Sequence, residues 1–156
     1  MKGVSRGVQM VRLTKSSFIL LLIFCSGLAF GLESFPRIQL ELKGKLYDLE
    51  VADTDARKSQ GLMYRASIRR DAGMLFTFDR PTGLYIWMKN TRMPLTVLWL
   101  NEYAEVIHKE RLQPCTADPC PSFGPDQPAR YVLELHADEW SRFKLGDRLE
   151  QIARWY

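Results

Sequence analysis

Along most of the chain, apolar residues alternate with polar ones in short runs, and turn residues break those runs. That period of two predicts β structure. Ile38, Leu40 and Leu42 fall on one face of a first strand, and Tyr47, Leu49 and Val51 on one face of a second. Lys43 and Gly44 supply a turn between them, so the two read as a hairpin. Met74, Phe76 and Phe78 alternate in the same way. The runs LYIWM (84–88) and LTVLWL (95–100) are nearly continuous in apolar residues and read as buried strands. EVIHKERL (105–112) reads as an amphipathic strand, with Val106 and His108 on one face and Ile107 and Lys109 on the other. RYVLEL (130–135) and DRLEQI (147–152) complete a set of about eight strands. ADEWSRF (137–143) fits either a helical turn or a loop. One short helix is predicted over residues 55–60, capped by Asp53 or Thr54 and ended by Gly61. The pattern predicts an all-β fold, a sandwich or a partly closed barrel with one short helix, because those architectures cover sheet edges at this size.

The N-terminus departs from this pattern. Lys2, Arg6, Arg12 and Lys15 precede an apolar stretch from Phe18 to Leu28, and Gly27 and Ala29 stand at −3 and −1 for a cut before Phe30. A basic head, an apolar middle and small residues make a secretory leader. The stretch is shorter than the roughly 18 residues of a full membrane span. Residues 1–29 are therefore expected to be a cleaved signal peptide, with an uncleaved membrane anchor as the alternative, and residues 30–156 a single β-rich domain. Four of the 22 basic residues and none of the 18 acidic ones lie in the leader, which leaves 18 of each sign in the domain. A neutral domain without a basic run gives no reason to expect nucleic-acid binding. The expected location is the periplasm or the exterior, with membrane contact only through an uncleaved leader.

In an exported domain Cys115 and Cys120 read as a disulfide closing the CTADPC loop. A redox-active pair or half of a metal site are the alternatives. No second cysteine pair completes a zinc site, and His108 and His136 stand far apart, so no metal or other cofactor is expected. Four methionines, Met63, Met74, Met88 and Met93, lack copper-binding clustering and read as core.

Two segments could carry chemistry. Trp87, Lys89, Asn90 and Thr91 place an indole, a cation, an amide and a hydroxyl within five residues between two apolar runs. Such a set can stack on a ring and hydrogen-bond polar groups. Equally, Asn90 and Thr91 can satisfy turn backbone while Trp87 packs in the core. In Gly61-Leu62-Met63-Tyr64-Arg65, Arg65 could hold a carboxylate or phosphate, or pair with Asp71 or another acid. Glu134 lies within an apolar strand, where burial would raise its pKa, although a strand carboxylate can also serve as an ion-pair partner. No nucleophile motif, phosphate loop or metalloprotease motif is present.

The order GLMYR, DAGMLFTF, IWMKNTRMPLTVLWL, PCTADPC and YVLEL resembles the domain-of-unknown-function 192 family, over roughly Leu46 to Ile152. The resemblance implies a β-sandwich of jelly-roll type in a family that is mostly bacterial and archaeal and often exported. It implies no activity. The positions it makes distinctive are Gly61, Leu62, Met63 and Arg65, then Gly73, Met74 and Phe76. They continue with Trp87, Met88, Lys89, Asn90, Thr91 and Pro94, and end with Cys115, Cys120 and Glu134. The chain departs from the family at Thr96, where an acid is common, and at His136-Ala137-Asp138, where a small residue and glycine are usual. A mechanism needing a carboxylate at position 96 would fail here.

The reading reached from the sequence is a non-enzymatic binding or structural module of the cell envelope. Its expected partner is a small polar ligand, a sugar or a carboxylate, or another envelope protein. The expected site comprises Arg65, Trp87, Lys89, Asn90, Thr91 and Glu134. Two rivals stay open: a hydrolase using Glu134 or Asp71 with Arg65 and Lys89, and a periplasmic metal or redox protein.

Overall fold

The computed structural model describes residues 34–155; the leader expected in residues 1–29 lies outside them. Eight strands run in chain order: β1 (Arg37–Leu42), β2 (Lys45–Ala52), β3 (Ala72–Thr82), β4 (Ile86–Trp87), β5 (Leu95–Leu100), β6 (Val106–Leu112), β7 (Ser122–Phe123) and β8 (Ala129–His136). Two short helices join them, α1 (Asp55–Gln60) and α2 (Glu150–Trp155), with a 3-10 turn at Ala137–Ser141. Six strands form one sheet in the order β1-β2-β3-β8-β5-β6, and β4 and β7 form a separate two-stranded ribbon. Only β2 and β3 pair in parallel, across the crossover that contains α1; the other neighbours are antiparallel. The all-β, sandwich-like class expected from the alternating pattern is what forms, and the large sheet does not close into a barrel.

Both faces of the sheet are buried. On one face Tyr47, Leu49, Leu75, Leu133 and Leu135 pack with Phe143, Leu149 and Ile152. On the other, Met74, Phe76, Val97, Trp99 and Val132 pack with Leu62, Leu84, Met88 and Met93, which come from loops. Strand β8 lies between β3 and β5, and Glu134 stands opposite Met74 on one side and Val97 on the other. Glu134 therefore shares the loop-covered face.

Helix α1 forms where the capping residues predict it. The Thr54 hydroxyl accepts from the Arg57 N–H at 3.3 Å, and the Gly61 N–H closes the end on the Arg57 carbonyl. Gly61 has φ +47°, a conformation open to glycine.

Three expectations are corrected. LYIWM is not a long strand: only Ile86 and Trp87 pair, and they pair with the short β7. The apolar residues Leu84 and Met88 instead fold this segment down onto the sheet, where the Trp99 indole N–H donates to the Leu84 carbonyl at 3.0 Å. DRLEQI is not a strand: Leu149 and Ile152, three apart, anchor α2 on the core, and Gln151 Oε1 accepts the Glu41 N–H at 2.8 Å on the edge strand β1. Val106 and His108 do not share a face. A bulge between the pairs Trp99↔His108 and Leu100↔Val106 puts two residues of β6 against one step of β5. Ile107 packs against the loop-covered core and the His108 ring meets Trp99 at a tilt, centroids 5.1 Å apart, while Val106 joins the opposite core.

Candidate functional site

A small pocket of about 90 Å³ opens on the loop-covered face of the sheet. Glu134 forms its floor. The end of α1 and the Gly61–Met63 turn make one wall, and Tyr85, Trp87 and Thr91 from the folded-down segment make the other. The sequence places these walls through its apolar anchors: Leu62 sets the first on the core, and Leu84, Met88 and Met93 set the second. Trp87 is pinned at its backbone by Ser122 of β7 and is 48% exposed; Tyr85, on the same wall, is 62% exposed.

The two walls are tied to each other. Tyr64 N–H donates to the Asn90 carbonyl at 2.7 Å, and Asn90 Nδ2 donates back to Tyr64 Oη at 2.9 Å. Tyr64 and Asn90 both hold positive φ, +64° and +59°. Backbone in that region costs about 1–3 kcal/mol per non-glycine residue and persists where the surroundings over-determine it.

Glu134 is only 5% exposed, and no hydrogen bond reaches its carboxyl among the described residues. A charged carboxylate without partners is costly in such a site, so the proton stays on. Burial pushes the Glu134 pKa up to about 8, against the opposing attraction of the Arg65 charge. At neutral pH its carboxyl is chiefly protonated, both a donor and an acceptor, facing the pocket beneath two exposed aromatic rings.

The structure divides the six expected site residues. Trp87, Thr91 and Glu134 line the pocket together. Asn90 holds the rim through Tyr64. Lys89 Nζ lies 5.5 Å from the centre of the Trp87 ring and 3.9 Å from Asp118. Arg65 lies in an adjoining groove, where Nη1 and Nη2 donate to both oxygens of Glu50 at 2.8 and 2.7 Å. That hydrogen-bonded pairing, with the Arg65 charge, holds the Glu50 carboxyl below its ordinary range. Asp71, the alternative acid of a hydrolytic set, pairs with Arg69 at 2.9 Å, and neither it nor Lys89 lines the pocket. Tyr85, Lys58 and Tyr64 were missed. Tyr85 and Tyr64 stand beside singled-out residues, and no periodicity marks which loop positions face a pocket.

Cys115 and Cys120 are joined as a disulfide, with their Cα atoms 5.8 Å apart. Among the described residues no three metal-ligating side chains gather. His108 pairs with Glu110 at 2.8 Å, and His136 Nδ1 accepts the Asp138 N–H at 3.2 Å. Thr96 points away from the pocket: its hydroxyl donates to the Ala137 carbonyl at 3.1 Å, beneath the 3-10 turn. A carboxylate at that position would not join Glu134. No helix among the described residues is long and apolar enough to cross a membrane.

The family model DUF192 (uncharacterized ACR) matches residues 38–151. Among solved structures, a protein from Sinorhizobium meliloti 1021 provisionally labelled a transcription regulator is 30% identical, with TM-score 0.61. The match covers 76% of this chain and 95% of that one. A protein of unknown function from Novosphingobium aromaticivorans DSM 12444 is 26% identical, with TM-score 0.62, over 72% of this chain and 81% of that one. No curated protein matches the chain.

Proposed function

The chain belongs to the DUF192 family, and we propose that it is an exported, non-enzymatic module of the cell envelope that binds a neutral, hydroxyl-bearing ligand such as a sugar. One observation carries this reading. The carboxyl of a nearly buried glutamate, without a hydrogen bond among the described residues, opens on a pocket lined by two exposed aromatic residues. The protonated Glu134 donates one hydrogen bond and accepts another, which matches a hydroxyl group. Aromatic faces pack against the C–H faces of a sugar ring while its edge hydrogen-bonds. The leader-like residues 1–29 support the envelope location.

A panel of glucose, galactose, mannose and N-acetylglucosamine, titrated into the protein and followed by amide and indole NMR shifts, tests the reading. The expected result is saturable shifts at Trp87 and Glu134 for at least one sugar. Glu134→Gln, which keeps a neutral donor and acceptor, retains binding, and Glu134→Leu abolishes it. Wild-type affinity falls as the pH rises through about 8, and the Gln variant does not follow. A panel that leaves both residues unmoved, with these sugars and with their di- and tetrasaccharides alike, sinks the reading.

A further inference from the structure

The pocket above Glu134 is too small for a whole sugar. About 90 Å³ accommodates a hydroxyl or hydroxymethyl group, whereas sites for complete small ligands run from roughly 300 Å³ upward. A groove of about 460 Å³ adjoins it and shares Gln60 and Met63 with it. The groove's far side is formed by Phe35, Tyr64 and the Arg65–Glu50–Arg37 group.

We propose that this groove is a second sugar subsite, so that the ligand is an oligosaccharide with one hydroxyl-bearing end in the Glu134 pocket and its neighbouring residue in the groove. The inference rests on the Glu134 reading and deepens it. The chemistry of the groove favours a neutral unit over an anionic one. Arg65 is already held in a bidentate pair by Glu50, and Arg37 by Asp48 at 2.6 Å and by Glu50 at 3.2 Å. An incoming carboxylate would have to break those charge-assisted bonds, which are among the stronger hydrogen bonds in proteins. Sugar hydroxyls need no such exchange. They bond to the remaining N–H groups and carboxylate lone pairs of a group already held in place by its ion pairs. Apolar contact for the ring comes from the part of Phe35 left open between the core and the Arg65 guanidinium, 5.7 Å from its centre, and from Tyr64, which is 62% exposed with the Arg92 guanidinium 5.9 Å from its ring centre. Tyr64 is also the residue that Asn90 locks to the pocket rim, so pocket and groove share one rigid wall.

The test titrates each monosaccharide of the panel against its di- and tetrasaccharide, using wild type and the variants Phe35→Ala and Arg65→Met. The readout is the disaccharide-to-monosaccharide ratio of affinities. In wild type the disaccharide binds about tenfold more tightly, the equivalent of about 1.4 kcal/mol. The ratio falls toward one in Phe35→Ala, a substitution that leaves the ion pairs intact, and in Arg65→Met where that variant folds. Disaccharide binding without measurable monosaccharide binding also supports the proposal, provided that Phe35→Ala removes it. A monosaccharide that binds with no gain on lengthening overturns the second subsite and leaves the Glu134 reading standing. A gain that survives Phe35→Ala overturns it as well. A panel in which nothing of any length binds overturns both.

Discussion

Tyr64 and Asn90 hold each other twice, once through backbone and once through side chains, and both sit at positive φ. They come from the two loops that wall the Glu134 pocket, so this pair sets the distance between the walls. The two costs at Asn90 can be separated. Asn90→Gly keeps the left-handed backbone and removes the side-chain bond, a loss of about 0.5–1.5 kcal/mol. Asn90→Ala adds the penalty of a Cβ in that conformation, about 1–2 kcal/mol more. Urea unfolding of the two variants is expected to rank them in that order. Equal midpoints would show that the left-handed turn is not held against strain.

The raised Glu134 pKa makes folding stability depend on pH with a definite sign. Between its ordinary value of 4.5 and about 8, the folded chain keeps a proton that the unfolded chain has released. Stability therefore falls as the pH rises through that window. Asp48, Glu50 and Asp53, all held low by arginines, act in the opposite sense: what they contribute is present above their ordinary range and is lost as the pH falls below it. Unfolding free energies of wild type and Glu134→Gln at half-unit steps from pH 5 to 9 isolate the effect. The expected outcome is that the Gln variant gains on wild type as the pH rises and levels off above about 8. Parallel curves would mean that Glu134 titrates normally, with the pocket wet.

Much of this fold is written in the chain. The β1–β2 hairpin follows from period-two alternation and a turn glycine, α1 from a cap, and β5 and β8 from short, largely apolar runs, all local signals. What failed was non-local. LYIWM and DRLEQI are apolar enough for strands, but their apolar residues serve to fasten a loop and a helix onto opposite faces of a sheet built elsewhere. The bulge in β6 adds one residue of register and leaves no mark on composition. Glu134 was legible as a carboxyl in an apolar strand. Its neighbours were not, because Tyr85 comes to line the same pocket only once the Trp99 indole has caught the Leu84 carbonyl and the loops have closed.

The disulfide bears on the site through one strand. Cys120 stands two residues before Ser122, which pairs with Trp87, and Phe123 pairs with Ile86. Closing so short a loop stabilises by roughly 2 kcal/mol in the chain-entropy account. The Lys89–Asp118 contact is exposed and adds little. Reduction with excess dithiol, or the double variant Cys115→Ser/Cys120→Ser, is expected to lower stability by about that amount and to broaden the Trp87 indole NMR signal, identified by its loss in Trp87→Phe. The Trp99 signal, from a buried ring on the sheet, should stay sharp. If the Trp87 signal is unchanged on reduction, β7 holds the rim without the help of the crosslink.

Gly73 tests the ground on which Glu134 stands. A Cβ at Gly73 would lie 2.4 Å from the Glu134 carbonyl oxygen and 2.7 Å from Leu135 Cδ2. The first of these is backbone in the paired strand, so relief requires β3 and β8 to move apart beside the pocket floor. Gly83 offers the control: a Cβ there meets only the Tyr85 ring, at an ordinary 3.7 Å. Gly73→Ala is expected to cost about 3 kcal/mol, and Gly83→Ala to stay within about 0.5 kcal/mol of wild type. Circular dichroism melts decide between them. Tolerance of alanine at both positions would mean that β3 and β8 take up the added Cβ at Gly73 by a small local shift on the Leu49 and Leu135 side of the sheet.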